Sequence, residues 1–424
     1  MNLFDYRNGI LHAEDVDMNI VAEEVGTPCY VYSQAAILKR FRKVREVFAE
    51  VSPLICFAMK ANSSLAVLDL LCKEGGGFDV VSGGELFRAL KVGCDPKKIV
   101  FAGVAKTQAE IREAVDAGIL LFDVESEQEL IAIDKIARAA GKRAAVALRI
   151  NPNVDANTHA KITTGKAESK FGIDKHTALA LYLRSHEFEA VDLVGLHMHI
   201  GSQITEVEPY VKALEVDLQF IETCRSKGIN IEYLDIGGGF GINYRRQEAQ
   251  PLDSFAKAML PLLKQSKCKI IMEPGRFIAG NAGIMLTRVV YVKKTPVKTF
   301  VIVDSAMNDL MRPMLYDAFH HVAPVVLPSG CVDPRDQAEN DSLEVVDVVG
   351  GVCESTDVLA KARPFPPVKQ GDLLAVFSAG AYGSAMSSTY NSRPLAAEIL
   401  VDESSYRIIR DRQSYEDLVA RERI

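Results

Sequence analysis

Residues 54–81 read LICFAMKANSSLAVLDLLCKEGGGFDVV. The opening run, LICFA, is too short for a helix and suits a buried strand. After a polar break, SLAVLDLLCKEG carries apolar residues at helical spacing and stops at Gly75, where a left-handed residue ends a helix well. FDVV then begins a second buried strand, so the stretch is one strand–helix–strand crossover. Similar apolar runs follow at 99–102 (IVFA), 119–122 (ILLF), 145–150 (AVALRI), 193–197 (LVGLH), 231–236 (IEYLDI) and 269–272 (KIIM). Between them lie helical segments such as TQAEIREAVDAG and SEQELIAIDKIARAAG, several closing on a glycine (Gly118, Gly141, Gly228). Eight strand-then-helix units predict an α/β chain with a closed (β/α)8 barrel of the TIM type. An open doubly wound sheet is the alternative, but eight units without a reversal favour closure.

The rhythm changes after about residue 282. MLTRVVYVKK, KTFVIVD, LEVVDVVGG, DLLAVFS and AAEILVD are strand-like and separated by turns, which predicts a second, β-rich domain. Two domains also suit a chain of 424 residues, beyond the size at which one core stops growing. A formal net charge of −7 argues against a nucleic-acid or anionic-membrane surface. No apolar stretch approaches the roughly 20 residues of a membrane span, and the N-terminus lacks the features of a signal peptide. The eight cysteines (29, 56, 72, 94, 224, 268, 331, 353) are scattered without a C-x-x-C pair. They read as reduced thiols of a cytoplasmic protein.

On such a barrel the unusual residues fall together. Lys60 follows strand 1 and Glu85 follows strand 2; Arg149 ends strand 5, and His197 and His199 end strand 6. GGGFG (237–241) follows strand 7 and EPGR (273–276) follows strand 8. All lie at the C-terminal face, where barrel enzymes build their sites. Glycine turns after strands 7 and 8 suit a phosphate, and a lysine at the mouth of strand 1 beside a phosphate site points to pyridoxal 5'-phosphate. Lys60 could instead be an ordinary snorkelling lysine, and GGGFG an ordinary turn. Lys106 also follows an apolar run, but it precedes TQAEI and reads as the start of a helix. His197 and His199 share one face of a strand, which zinc hydrolases use; no matching downstream ligands complete such a site. His197 reads as structural, and His199, nearer the mouth, as the residue that covers a cofactor ring. Glu273 is placed to keep a pyridine nitrogen protonated.

AMKAN, FDVVSGGEL, HMHIGSQ, DIGGGFG, EPGR, MNDLMRPMLY, VCES and GAYG stand here in the order found in the fold-type III pyridoxal-phosphate decarboxylases, which the chain resembles over nearly its whole length. TGKAESKFGI (164–173) and MSSTYNSRPLAAEIL (386–400) are similar to the branch whose substrate carries both an ammonium and a carboxylate at its far end. The resemblance implies a pyridoxal-phosphate barrel over 36–281 and a β-sandwich domain made of 1–35 and 282–424. It implies that Lys60 holds the cofactor, His199 stacks on its ring and Glu273 meets the ring nitrogen, with Asp79, Glu85 and Arg149 in support. Ser202, Gly238, Gly239, Gly275, Arg276 and Tyr382 would surround the phosphate. Arg276, Arg312, Tyr316 and Tyr382 would bind substrate. Cys353 and Glu354 would enter from the partner of a homodimer, Cys353 at the reacting carbon and Glu354 at the distal ammonium. No metal is implied. Thr356 departs from the glycine that usually follows CES by one residue. A racemase of the same fold would carry arginine in place of Glu273, and a non-catalytic carrier would lack residues 282–424. A sister decarboxylase of ornithine, arginine or carboxynorspermidine is the nearer alternative.

Overall fold

A computed structural model describes residues 4–154, 170–245, 249–331, 333, 335 and 343–424. The part of TGKAESKFGI before Lys170 lies outside them. The chain divides into two compact units, one of Arg40–Ile242 with Ala249–Phe277, the other of Met1–Lys39, Asn243–Glu248 and Ile278–Ile424. Among the described residues no helix is long and apolar enough to cross a membrane.

The first unit is a closed parallel barrel. Its strands, numbered 1 to 8 here, are Leu54–Ala58, Gly77–Val80, Ile99–Phe101, Leu121–Val124, Ala144–Arg149, Val191–His197, Tyr233–Asp235 and Lys269–Met272. Each pairs in parallel with the next, and strand 8 returns to strand 1 through Ile271–Leu54 and Met272–Ile55. The helices between start and stop on chemistry visible in the sequence. Thr107 and Glu110 form a reciprocal capping box at the start of Gln108–Ala117, and Gly118 ends that helix at φ +70°. Ser82 and Ser126 cap Gly83–Lys91 and Glu127–Ala139 by accepting the Glu85 and Glu129 N–H groups.

Inside the barrel, Cys56, Val100, Leu121, Ala147 and Ile271 pack as one apolar cluster. Side chains alternate across a strand, so the position two residues on faces the interior again. From Leu121, Ala147 and Ile271 that step reaches Asp123, Arg149 and Glu273. Strands 2, 6 and 7 bring Asp79, His197 and Asp235 to the same end. Strand 4 runs Leu121–Val124, two residues later than the expected ILLF run. An apolar-run criterion stops at Phe122, before the aspartate that the strand carries inward.

The second unit is β-rich. Among its described residues, nine strands join in one mixed sheet. Its long strand, Gly283–Lys294, pairs with Cys29–Ser33 and Leu373–Val376 near one end and with Thr299–Val303 near the other. Cys29–Ser33 also lies parallel to Ala397–Asp402. Leu11, Met18, Val31, Ile284, Leu286, Ala375, Phe377 and Ile399 share one fully packed core.

Lys106 stands at the entry to a helix, just before the Thr107 cap, as expected, yet its side chain is buried. Its Nζ donates to the carbonyls of Gly103 (2.8 Å) and Asp123 (2.7 Å) and to Glu129 Oε1 (2.6 Å). The other Glu129 oxygen accepts from the Glu125 N–H at 2.9 Å. Removing one partner leaves a buried charge uncompensated. Lys106→Met should therefore cost about 3–5 kcal/mol in urea denaturation, and Lys106→Met with Glu129→Gln should recover part of it. Equal losses in the single and double variants would show that the pair is not the source.

Candidate active site

Lys60 sits in a single turn, Met59–Ala61, that leaves strand 1. Its Nζ lies 2.6 Å from Asp79 Oδ2; the aspartate is fully buried while about a third of the lysine side chain, 35%, is exposed. An amine is thus held at the edge of the site by an acid beneath it. Burial first, then the charge of Glu273, raises the Asp79 carboxyl, and Lys60 opposes both. Glu85 accepts the Val81 N–H at 2.8 Å, and burial raises its carboxyl to about 7.

Strands 5 and 6 hold one another at the mouth. Arg149 is buried, donates to Glu125 Oε1 at 2.6 Å and to the His199 carbonyl at 3.4 Å, and lies 4.7 Å from the Phe171 ring centre. The His199 ring takes its orientation from the strand 7 turn, because the Gly238 N–H donates to its Nδ1 at 3.2 Å. The acceptor role at Nδ1 leaves the proton of the neutral ring on Nε2. Burial and Arg149 together push the imidazole well below its usual pKa, which keeps the ring neutral.

The glycines of strand 7 answer to crowding as well as to any anion. A Cβ on Gly238 would lie 2.0 Å from the Glu273 carbonyl oxygen, and one on Gly239 2.3 Å from the Gly201 carbonyl. The Gly238 carbonyl accepts from the buried Tyr210 hydroxyl, and the Glu273 N–H donates to Gly237 at 2.8 Å. Gly275 faces Ala58 and Ala61, with its notional Cβ 3.1 and 3.0 Å from theirs. Arg276 is buried and donates from Nη2 to Ser202 Oγ at 3.0 Å, joining the turns after strands 6 and 8.

A third layer lies beneath, and sequence reasoning missed most of it. His197 stands between two carboxylates: Nε2 is 3.7 Å from Glu273 Oε2 and Nδ1 is 3.7 Å from Asp123 Oδ1. Ligand atoms of these three residues all lie within 4.8 Å of one another. Asp235 accepts the Gly237 N–H at 2.8 Å with one oxygen. Burial raises Asp123, Asp235 and Glu273, and the Glu273 charge raises the two aspartates further. The signal was available in the two-residue step inward from Leu121 and Tyr233.

The remaining candidates belong to the second unit. Arg312 opens the short helix Arg312–Tyr316 and is buried. Its Nη1 is 2.7 Å from His320 Nε2, whose Nδ1 lies 2.8 Å from the Phe377 carbonyl, and its guanidinium lies 4.6 Å from the Tyr244 ring centre. The carbonyl fixes the imidazole proton on Nδ1, so Nε2 accepts from the arginine. Tyr316 is half-buried. Tyr382 has φ +56°, a left-handed backbone that a bulky side chain adopts at a cost of order 1–3 kcal/mol. Cys353 and Glu354 are exposed. The Cys353 N–H donates to Asn391 Oδ1 at 3.0 Å, and Glu354 accepts from Tyr390 (2.6 Å) and Thr356 (3.0 Å). Thr356 has no positive φ, so a side chain there brings no left-handed strain.

Comparison with known proteins gives this arrangement its context. Residues 34–280 match the family model described as the pyridoxal binding domain of pyridoxal-dependent decarboxylases. The chain is 46% identical to the diaminopimelate decarboxylase of Aquifex aeolicus, over 98% of this chain and 96% of that one. It is 45% identical to the Pseudomonas aeruginosa enzyme of the same name, over 100% and 99%. The crystal structure of Helicobacter pylori diaminopimelate decarboxylase complexed with L-lysine has a TM-score of 0.89 at 39% identity, covering 95% of this chain and 98% of that one.

The crowding at Gly238 makes a direct test. Gly238→Ala should destabilise the protein by about 1–3 kcal/mol and weaken pyridoxal-phosphate binding at least about tenfold, read by spectroscopic titration, because the Glu273 backbone must shift and the Gly238 N–H that orients His199 moves with the turn. Gly84→Ala is the control, since its Cβ would meet nothing closer than Ser82 Oγ at 3.8 Å. Unchanged binding in Gly238→Ala would remove the turn from the site.

Proposed function

The chain belongs to the diaminopimelate decarboxylases, within the pyridoxal-dependent decarboxylases, and we propose that it converts meso-2,6-diaminopimelate to L-lysine and CO2 with the residues described above. The full-length likeness to diaminopimelate decarboxylases supports this substrate most directly, and Arg312 adds a buried guanidinium that donates to His320 beside the Tyr244 ring. A substrate carboxylate suits that guanidinium; a diamine precursor ending in an ammonium does not.

The residues fit the cofactor. Glu273 Oε1 is buried without a hydrogen-bond partner among the described residues, an acceptor suited to a protonated ring nitrogen, and Lys60 offers its amine beside it. Pyridoxal phosphate, when bound, supplies an electron sink for the carbanion left as CO2 departs. Lys60 is the amine that holds it, and Asp79 steadies that amine. His199, its ring oriented by the Gly238 N–H, would cover the cofactor ring. Glu273 keeps positive charge at the ring nitrogen. Ser202, Gly239, Gly275, Arg276 and Tyr382 would hold the phosphate together with Gly238. Glu85 and Arg149 support the mouth, Arg149 by fixing the His199 backbone.

Substrate is oriented at its far end. Arg312 with Arg276, Tyr316 and Tyr382 takes the distal carboxylate, and Glu354 takes the distal ammonium, drawn into position by Tyr390 and Thr356. Cys353 stands by the reacting carbon, where a proton is required once CO2 has left. In this reading Cys353 and Glu354 are lent by the partner of a two-fold homodimer, each subunit completing the other. Eight free cysteines support a reducing, cytoplasmic setting.

A substrate panel with product identification tests the assignment. Lysine and ornithine should be turned over at least about a thousandfold less efficiently than diaminopimelate, if ~4 kcal/mol of transition-state binding is lost with the distal carboxylate of the substrate. Arg312→Ala should erase much of that preference; a wild-type preference for ornithine, or an unchanged ratio in the variant, would sink the reading. The shared site is tested separately by mixing inactive Lys60→Ala with inactive Cys353→Ala. Activity should partly return through one intact site per heterodimer. No recovery in verified heterodimers would mean that one chain makes its own site.

A further inference from the structure

At the barrel mouth, Lys60 already pairs with Asp79 and Arg149 with Glu125. Asp123, Asp235 and Glu273 remain, all at most 3% exposed, with His197 among them at 1%. Three ionised carboxylates cannot share that space, so the layer must hold protons. Both oxygens of Asp123 and both nitrogens of His197 lack a hydrogen-bond partner among the described residues. The two 3.7 Å gaps exceed a hydrogen bond by about 0.5–1 Å, a distance that small side-chain rotations close when a site tightens.

We propose that Asp123 and His197 are positioning residues for Glu273, joined in a ladder with a fixed proton order. The Asp123 carboxyl carries a proton and donates it to His197 Nδ1. The neutral imidazole therefore keeps its own proton on Nε2 and donates to Glu273, which is the one anion of the three. The ladder holds the Glu273 carboxylate in place and concentrates the charge where the cofactor's ring nitrogen is met. It rests on the reading of Glu273 given above. No proton need cross the layer: each stays on its atom, and the order alone sets the charge.

The surroundings support this order. Burial and the Glu273 charge drive Asp123 toward its protonated form, while burial and Arg149 drive His197 toward its neutral form. Asp79, Glu125 and Lys60 also act on the imidazole, the two acids favouring its cation and Lys60 opposing it. A metal ion would need the same three side chains, but it would have to sit beside the Lys60 and Arg149 charges.

The order separates Asp123 as a donor from Asp123 as a charge, because asparagine can donate as the protonated acid does. Asp123→Asn should keep kcat within about threefold and leave the visible absorbance of the holoenzyme and its pH dependence unchanged. Asp123→Leu and His197→Phe should lower kcat by about 10²-fold with KM changed less than threefold, and should shift the pH dependence of the visible band. In 15N-histidine-labelled holoenzyme, the resonance lost in His197→Phe should be that of a neutral ring protonated on Nε2 from about pH 6 to about pH 9. The proposal is overturned if Asp123→Asn is as impaired as Asp123→Leu, if His197 is doubly protonated or protonated on Nδ1, if His197→Phe keeps the wild-type spectrum, or if the purified enzyme holds a stoichiometric metal at this trio. Should His197→Phe fail to fold, the two Asp123 variants and the pH-dependent 15N pattern of the wild type decide. Glu273→Gln judges the underlying reading separately: full activity there would remove Glu273 from the ring nitrogen while the histidine tautomer still reports on the ladder.

Discussion

A closed parallel barrel dictates where its inward side chains go, and the alternation of strand residues does the rest. Two residues along a strand are the whole distance between alkyl packing and chemistry: Leu121 to Asp123, Ala147 to Arg149, Ile271 to Glu273. The apolar layer below excludes water, and that exclusion makes every charge above it costly unless paired. The pairings seen at the mouth, Lys60 with Asp79, Arg149 with Glu125 and Lys106 with Glu129, follow from that cost. Each ties a strand end to its neighbour or to the helix behind it, so the same charges that serve chemistry also brace the rim.

Much of this was legible in the sequence. The eight apolar runs, the capping residues and the glycine stops carry local chemistry that needs no tertiary contact to act, and the barrel follows from their order. Lys60, Glu273 and the strand 7 glycines stood out because a lysine, a carboxylate or bare backbone at a strand end has few bland explanations when several coincide. Asp123 and Asp235 were not legible in the same way. Asp123 falls just past the ILLF run and Asp235 lies within IEYLDI, and only the closure of the barrel shows that both turn inward. Lys106 precedes a helix, as its sequence context indicates, but its burial depends on Glu129, twenty-three residues on, and no local pattern announces that pairing. The hold of His320 on Arg312 is equally non-local, since it depends on the Phe377 carbonyl fixing the imidazole proton.

Hydrogen bonds to neutral groups set direction at two of the candidate side chains. Arg312 donates to the His320 imidazole beside the Tyr244 ring, and the His199 ring accepts from the Gly238 amide. Such bonds fix where a group points without adding a charge to the site. The left-handed Tyr382 fits the same economy of placement, for the motif GAYG holds a bulky residue in a backbone that glycine would occupy more easily.

The eight thiols differ sharply in exposure. Four are buried, three are intermediate and Cys353 alone is exposed. A fluorescent or spin label that reacts by accessibility would therefore mark this loop first in the unaltered chain, without an engineered cysteine. Cys353 stands next to Glu354 in the segment proposed to meet substrate, so a bound ligand would shield the thiol and slow the label's attachment, and a label once attached would itself block the place.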